Sequence, residues 1–165
     1  MQFVKSTLVL APSLILTLAL SGCTIDSVPG GASPETAQAS LAAIPTTGFG
    51  AMLNAQRASA GLPPASADAR LTAAAQGHAE DMLAQDYFSH TGLDGRSSAQ
   101  RVRAAGYSSC RPSENIAFGQ ISEAELLQGW VASPGHLANI MMRGPVQYGL
   151  GRAGTKWVLV VAGVC

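Results

Sequence analysis

The chain has 165 residues, with ten basic and ten acidic side chains and a formal net charge of zero. That balance, without any basic run or interleaving of aromatic and basic residues, argues against nucleic acid as a partner. The length suits one domain with a substantial core.

The first 22 residues read as an export signal. Lys5 supplies an early positive charge, an apolar stretch runs from Leu8 to Leu20, and Leu20-Ser21-Gly22-Cys23 follows. The apolar stretch is too short to span a bilayer as a helix, which takes about 20 residues. Leu-Ser-Gly-Cys resembles the bacterial lipobox, in which the cysteine is lipidated and becomes the mature N-terminus. This predicts an exported protein tied to the bacterial membrane through lipid on Cys23. Thr24 in place of an aspartate points to the outer membrane if the host is Gram-negative. Two cysteines remain, Cys110 and Cys165. In an oxidising compartment they are expected to pair. Closing a loop of that span is worth roughly 4 kcal/mol in the chain-entropy model.

Residues 23–47 are rich in Pro, Gly, Ser, Thr and Ala, lack a sustained apolar period, and read as a flexible tether. The folded domain is expected over 48–165. Phe49, Met52, Leu53 and Gln56 recur at helical spacing, and Gly61 with Pro63-Pro64 ends that helix. A second helix is predicted from near Asp68, with Leu71, Ala74, Ala75, His78, Met82 and Leu83 on its apolar face. A short helix over Ser98 to Ala105 stops at Gly106. Ser122 and Glu125 form a capping box that opens a helix carrying Leu126, Leu127, Trp130 and Val131. Pro134 ends that helix or kinks it into another short one. VQYGLGR and KWVLVVAGV are then β-rich, separated by Ala153-Gly154-Thr155, and predict an antiparallel hairpin. KWVLVVAGV is apolar almost throughout, so it is expected to be central and covered on both faces. Helices followed by strands, without βαβ alternation, predict an α+β sandwich.

Few residues here can carry chemistry. The chain has three histidines. His78 falls on an apolar helix face and reads as a satisfied core residue. His90, in YFSHTGLDG, and His136, in SPGHLANIM, each lie at a helix boundary near glycine. Glu114, in RPSENIAFG, stands between a turn and an apolar stretch, and Asp94 precedes Gly95 in a turn. Spacing alone does not bring these groups together.

A resemblance does. LNAQRASAGLPP, HAEDM, YFSH, DG, GY, ENIAFG, WVASPGHLANIM, YGLG and KWVLVVAG occur in the order seen in the CAP superfamily, here in a compact bacterial form. That superfamily comprises the cysteine-rich secretory proteins, antigen 5 and pathogenesis-related proteins. The resemblance runs from Gly48 to Cys165. It implies an α-β-α sandwich with a small antiparallel sheet flanked by helices, and a cleft lined by two histidines and two acids. Residue by residue, the histidines are His90 and His136, and the acid of the Glu-Asn motif is Glu114. The eukaryotic pattern has a glutamate shortly after the first histidine. This chain has only Asp94 in that interval, and Ser113 where a glycine commonly precedes the Glu-Asn motif.

Two imidazoles with carboxylates suit a divalent metal such as zinc, with His90 and His136 as ligands. The same groups can equally form a metal-free hydrogen-bonded constellation. The leading functional reading is a monomeric, lipid-tethered binding module whose cleft takes a metal or a small apolar or lipid ligand. Catalysis stays open. The alternative is a metal-dependent hydrolase or peptidase with Glu114 as general base, although the chain has no HExxH helix. A third reading is a structural domain held near peptidoglycan by its tether.

Overall fold

The computed structural model describes residues 48–119 and 121–164. The export segment, Cys23, the tether and Cys165 lie outside the described residues, and so does the expected Cys110–Cys165 pairing. Among the described residues no helix is long and apolar enough to cross a membrane.

Helix α1 covers Gly48–Ser59, and a two-residue strand β1, Ser66–Ala67, leads into α2, Ala69–Ala84. Asp68 caps α2 as expected, its carboxylate accepting from the backbone N–H of Arg70 at 2.8 Å and of Leu71 at 3.4 Å. Then come α3, Ser98–Ala104, strand β2, Arg111–Phe118, helix α4, Glu123–Val131, and helix α5, Pro134–Ile140. The Ser122–Glu125 capping box is formed at the start of α4. Strands β3, Val146–Ala153, and β4, Lys156–Gly163, close the fold.

The sheet order is β1-β3-β4-β2. The three long strands are antiparallel, and β1 adds to β3 in parallel. β4 is central and buried along its length, as its apolar composition requires. Its side chains alternate between two cores. Trp157, Leu159 and Val161 pack with Phe49, Leu53, Trp130 and Ile140 of α1, α4 and α5. Val158, Val160 and Ala162 pack with Leu71, Ala75, Met82 and Val102 of α2 and α3. The result is an α+β sandwich with helices on both faces of a mixed sheet.

Three local expectations change. Residues 111–118, read as a turn running into an apolar stretch, form a full strand paired with β4 from Arg111–Gly163 to Phe118–Lys156. Leu83 is exposed, and Ala79 takes the place on the buried face that Leu83 was expected to fill. The cause is angular: at 3.6 residues per turn, Leu83 sits about 100° round the helix from Met82. The hairpin connection is two residues rather than three, with Gly154 at φ 54° and Ala153 still in β3. A positive φ at the first central position matches the twist of the flanking strands.

β2 is an edge strand, and its outer carbonyls are covered. Trp130 Nε1 donates to Ile116 O at 3.3 Å, and Asn139 Nδ2 to Glu114 O at 3.2 Å. These contacts blunt an edge that would otherwise invite another strand.

Candidate functional site

The Glu-Asn motif straddles β2. Successive strand residues face opposite ways. Glu114, paired with Val160, looks toward the α2/α3 side, and Asn115, paired with Leu159, looks toward α4 and α5. Asn115 Nδ2 donates to His136 O at 3.1 Å, and Asn139 Nδ2 donates to Asn115 Oδ1 at 2.8 Å. The buried asparagine thereby fixes the first turn of α5, where Pro134 sets the helix start and His136 follows two residues later. The His136 ring lies 6.5 Å from that of Trp130.

On the opposite side Glu114 accepts from two partners. His90 Nδ1 lies 2.9 Å from Oε1, and Arg101 Nη2 lies 2.7 Å from Oε2. The Glu114 side chain is 4 % exposed and that of Arg101 11 %, whereas His90 is 57 % exposed. A nearly buried ion pair therefore presents one imidazole to solvent. Arg101 also donates to His90 O at 3.0 Å and to Arg96 O at 2.8 Å, which ties the segment carrying His90 to α3.

His78 supports the same segment from beneath. It is buried as expected, and its Nε2 meets Ser89 O at 2.9 Å. Burial, and then the Arg101 cation, hold its pKa below the usual imidazole range. The neutral ring donates through Nε2–H to the Ser89 carbonyl, one residue before His90. Its Nδ1 has no partner among the described residues, so this core histidine is only half satisfied.

The structure thus brings His90, Glu114 and His136 to one edge of the sheet. Burial, and then the charge of His90, hold the His136 pKa below the usual imidazole range. Asp94 does not join them. Its carboxylate accepts from Arg96 N at 2.9 Å and pairs with the Arg96 guanidinium, closing the turn at Gly95. It lines a separate recess of about 290 Å³ with His78, Asp81 and Arg101. Sequence reasoning missed Arg101. The one available signal was that a glutamate buried in a strand needs a cation, and Arg96, Arg101 and Arg103 were all candidates by composition.

The donor set decides how a metal could be held. Both Glu114 oxygens are engaged, so Glu114 orients His90 instead of acting as a ligand. With the carboxylate accepting from Nδ1–H, the neutral His90 ring leaves Nε2 as the outward lone pair. The available ligands are then His90 Nε2 and the His136 ring. No group of three or more His, Cys, Asp or Glu suited to a metal occurs among the described residues. Two imidazoles fall short of the three protein ligands of a catalytic zinc site. The general-base role for Glu114 also finds no support, because its oxygens already serve Arg101 and His90.

The family model described as "Cysteine-rich secretory protein family" matches residues 51–161. The Bacillus subtilis protein YkwD is 32 % identical over 108 residues, covering 64 % of this chain and 42 % of YkwD. The chain thus spans less than half the length of that relative. An extracellular SCP-domain protein of Bacillus anthracis superposes with a TM-score of 0.65 at 25 % identity, over 70 % of this chain and 39 % of that one. An outer surface protein of Borrelia burgdorferi shares the fold with a TM-score of 0.63 at 18 % identity, over 74 % of this chain and 97 % of its own.

Proposed function

This chain belongs to the cysteine-rich secretory protein family, and from that premise we propose that it is an exported, lipid-anchored binding module of the cell envelope. It would present His90 and His136, from either side of β2, to a small ligand. The observation that carries this reading is the contrast between an exposed His90 ring and the nearly buried Glu114–Arg101 pair that orients it. A ring held this way loses little freedom when it meets a ligand. Export is supported by the order Lys5, apolar stretch, Leu-Ser-Gly-Cys23, and by similarity to proteins described as extracellular and outer-surface. Replacing Cys23 with serine should move the protein from the membrane to the soluble fraction. Continued partition with membranes would place the anchor elsewhere.

Two ligand classes fit the module. A divalent cation such as zinc would take His90 Nε2 and His136, with its other positions filled by water or by a ligand's own donors. An apolar or lipid ligand has a groove of about 350 Å³ between α1 and α4, walled by Met52, Ala55, Leu127 and Val131. Ala55→Trp, on the rim of that groove, should displace such a ligand from protein purified out of membranes. Calorimetric titration with zinc tests the histidines. Binding should weaken at least tenfold in His90→Ala and in His136→Ala. It should also fade in acid, because a protonated imidazole cannot coordinate, with burial of His136 moving the loss of that ligand below the usual imidazole range. Wild type and both variants binding zinc equally would remove these histidines from a metal role.

A further inference from the structure

We propose that Lys156, Phe88 and Phe118 form a second binding site, which takes an apolar anion: one carboxylate carried on an aromatic or short aliphatic body. The site shares no residue with the His90–His136 cleft and stands whether or not that cleft holds a metal.

The register of the sheet creates it. Phe118, the last residue of β2, pairs directly with Lys156, the first of β4, so their side chains leave the same face of the sheet. That face is covered by α2 as far as Ala84. The segment after α2 brings Phe88 over the uncovered end, where its ring meets that of Phe118 edge to face, 6.4 Å between centroids. Lys156 Nζ sits 4.8 Å from the Phe118 centroid and 5.7 Å from that of Phe88.

Lys156 is buried along its stem, 5 % exposed as a residue, while its ammonium is not among the buried nitrogens that lack a partner and so meets water at the rim of the two rings. No carboxylate among the described residues lies within ion-pair distance of it. Its charge is met within the protein by two π faces and by no anion among the described residues. The two rings above it are meanwhile open to solvent, Phe88 at 48 % and Phe118 at 62 %. Exposed aromatic surface beside an ammonium that has no ion-pair partner among the described residues is complementary to a ligand that is apolar over most of its body and negative at one end. A neutral apolar ligand would leave the ammonium unpaired. A bare inorganic anion would leave the rings wet.

Phenylacetate and its neutral isostere phenylacetamide test both halves, titrated by NMR into the full chain. Phenylacetate should bind at least tenfold more tightly than phenylacetamide and than acetate. Lys156→Met should abolish the preference for the acid. Phe118→Ala and Phe88→Ala, which remove exposed rings and leave the core intact, should each weaken phenylacetate at least threefold. His90→Ala and His136→Ala should change neither ligand, which separates this site from the cleft. Equal affinity for acid and amide, wild type failing to bind phenylacetate, or loss of the preference in His90→Ala would each overturn the proposal.

Discussion

Gly149→Ala is expected to abolish cooperative folding. A Cβ at position 149 would lie 2.1 Å from Thr72 N, 2.2 Å from Leu71 C and 2.6 Å from Leu71 O. Those are backbone atoms of α2, so no side-chain rotation can make room. At Gly151, one pleat along the same face of β3, a Cβ would meet Gln76 N at 2.3 Å and Ala75 C at 2.5 Å. The helix therefore lies backbone to backbone across both glycines. To admit one methyl, α2 would have to lift off the sheet, and Leu71, Ala75 and Met82 would lose their packing against Val158 and Val160. Overpacking in an adaptable core costs about 1–3 kcal/mol; here the obstacle is rigid, and the loss should exceed that range. Gly77→Ala is the matched control. It lies within α2 with open space around its missing side chain, and should stabilise by about 0.5–1 kcal/mol through helix propensity. Thermal melts followed by circular dichroism distinguish the two. A Gly149→Ala protein that melts cooperatively within a few degrees of wild type would show that α2 is not seated on β3 as described.

That seam also shows where the sequence was readable and where it was not. YGLG stood out as a motif, but its reason is a close approach of two elements about 75 residues apart in the chain, which no local period records. The unbroken apolar run of β4 expresses burial on both faces, and the 3.6-residue period of α2 expresses burial against one layer, so both elements were legible in the sequence. β2 was less so. Its Pro112, Ser113, Glu114 and Asn115 look like turn residues, because both faces of this strand do polar work: Glu114 toward Arg101 and His90, Asn115 toward α5. The site followed the same division. His90, Glu114 and His136 became candidates only through a resemblance to a known family. Arg101 went unseen because nothing in a sequence says which of several cations will meet a buried acid 13 residues away. Asp94 was misplaced because its own turn chemistry, an Asx contact to Arg96 N, had already engaged the carboxylate.

Glu114→Ala should combine a large loss of stability with loss of the presented histidine. The Arg101 guanidinium is nearly buried, and Glu114 is the one carboxylate within ion-pair distance of it among the described residues. Removing the acid leaves that cation shielded from water with only the carbonyls of His90 and Arg96 as partners. Breaking one side of such a pair costs about 3–5 kcal/mol. Replacing both charges by apolar groups of similar size should cost far less, because the desolvation penalty disappears along with the attraction. Urea unfolding of Glu114→Ala, Arg101→Met and the Glu114→Leu/Arg101→Met double variant tests this. The expected order places the double variant above both single variants. Stability and presentation then separate: the double variant should fold, yet its His90 ring has lost the acceptor for Nδ1–H and should show the mobility of a free surface histidine in its NMR relaxation. A Glu114→Ala cost below about 1 kcal/mol would mean that water reaches Arg101 as it does an exposed ion pair. A rigid His90 in the double variant would mean that Ser89, held by His78, and not Glu114, sets the position of the ring.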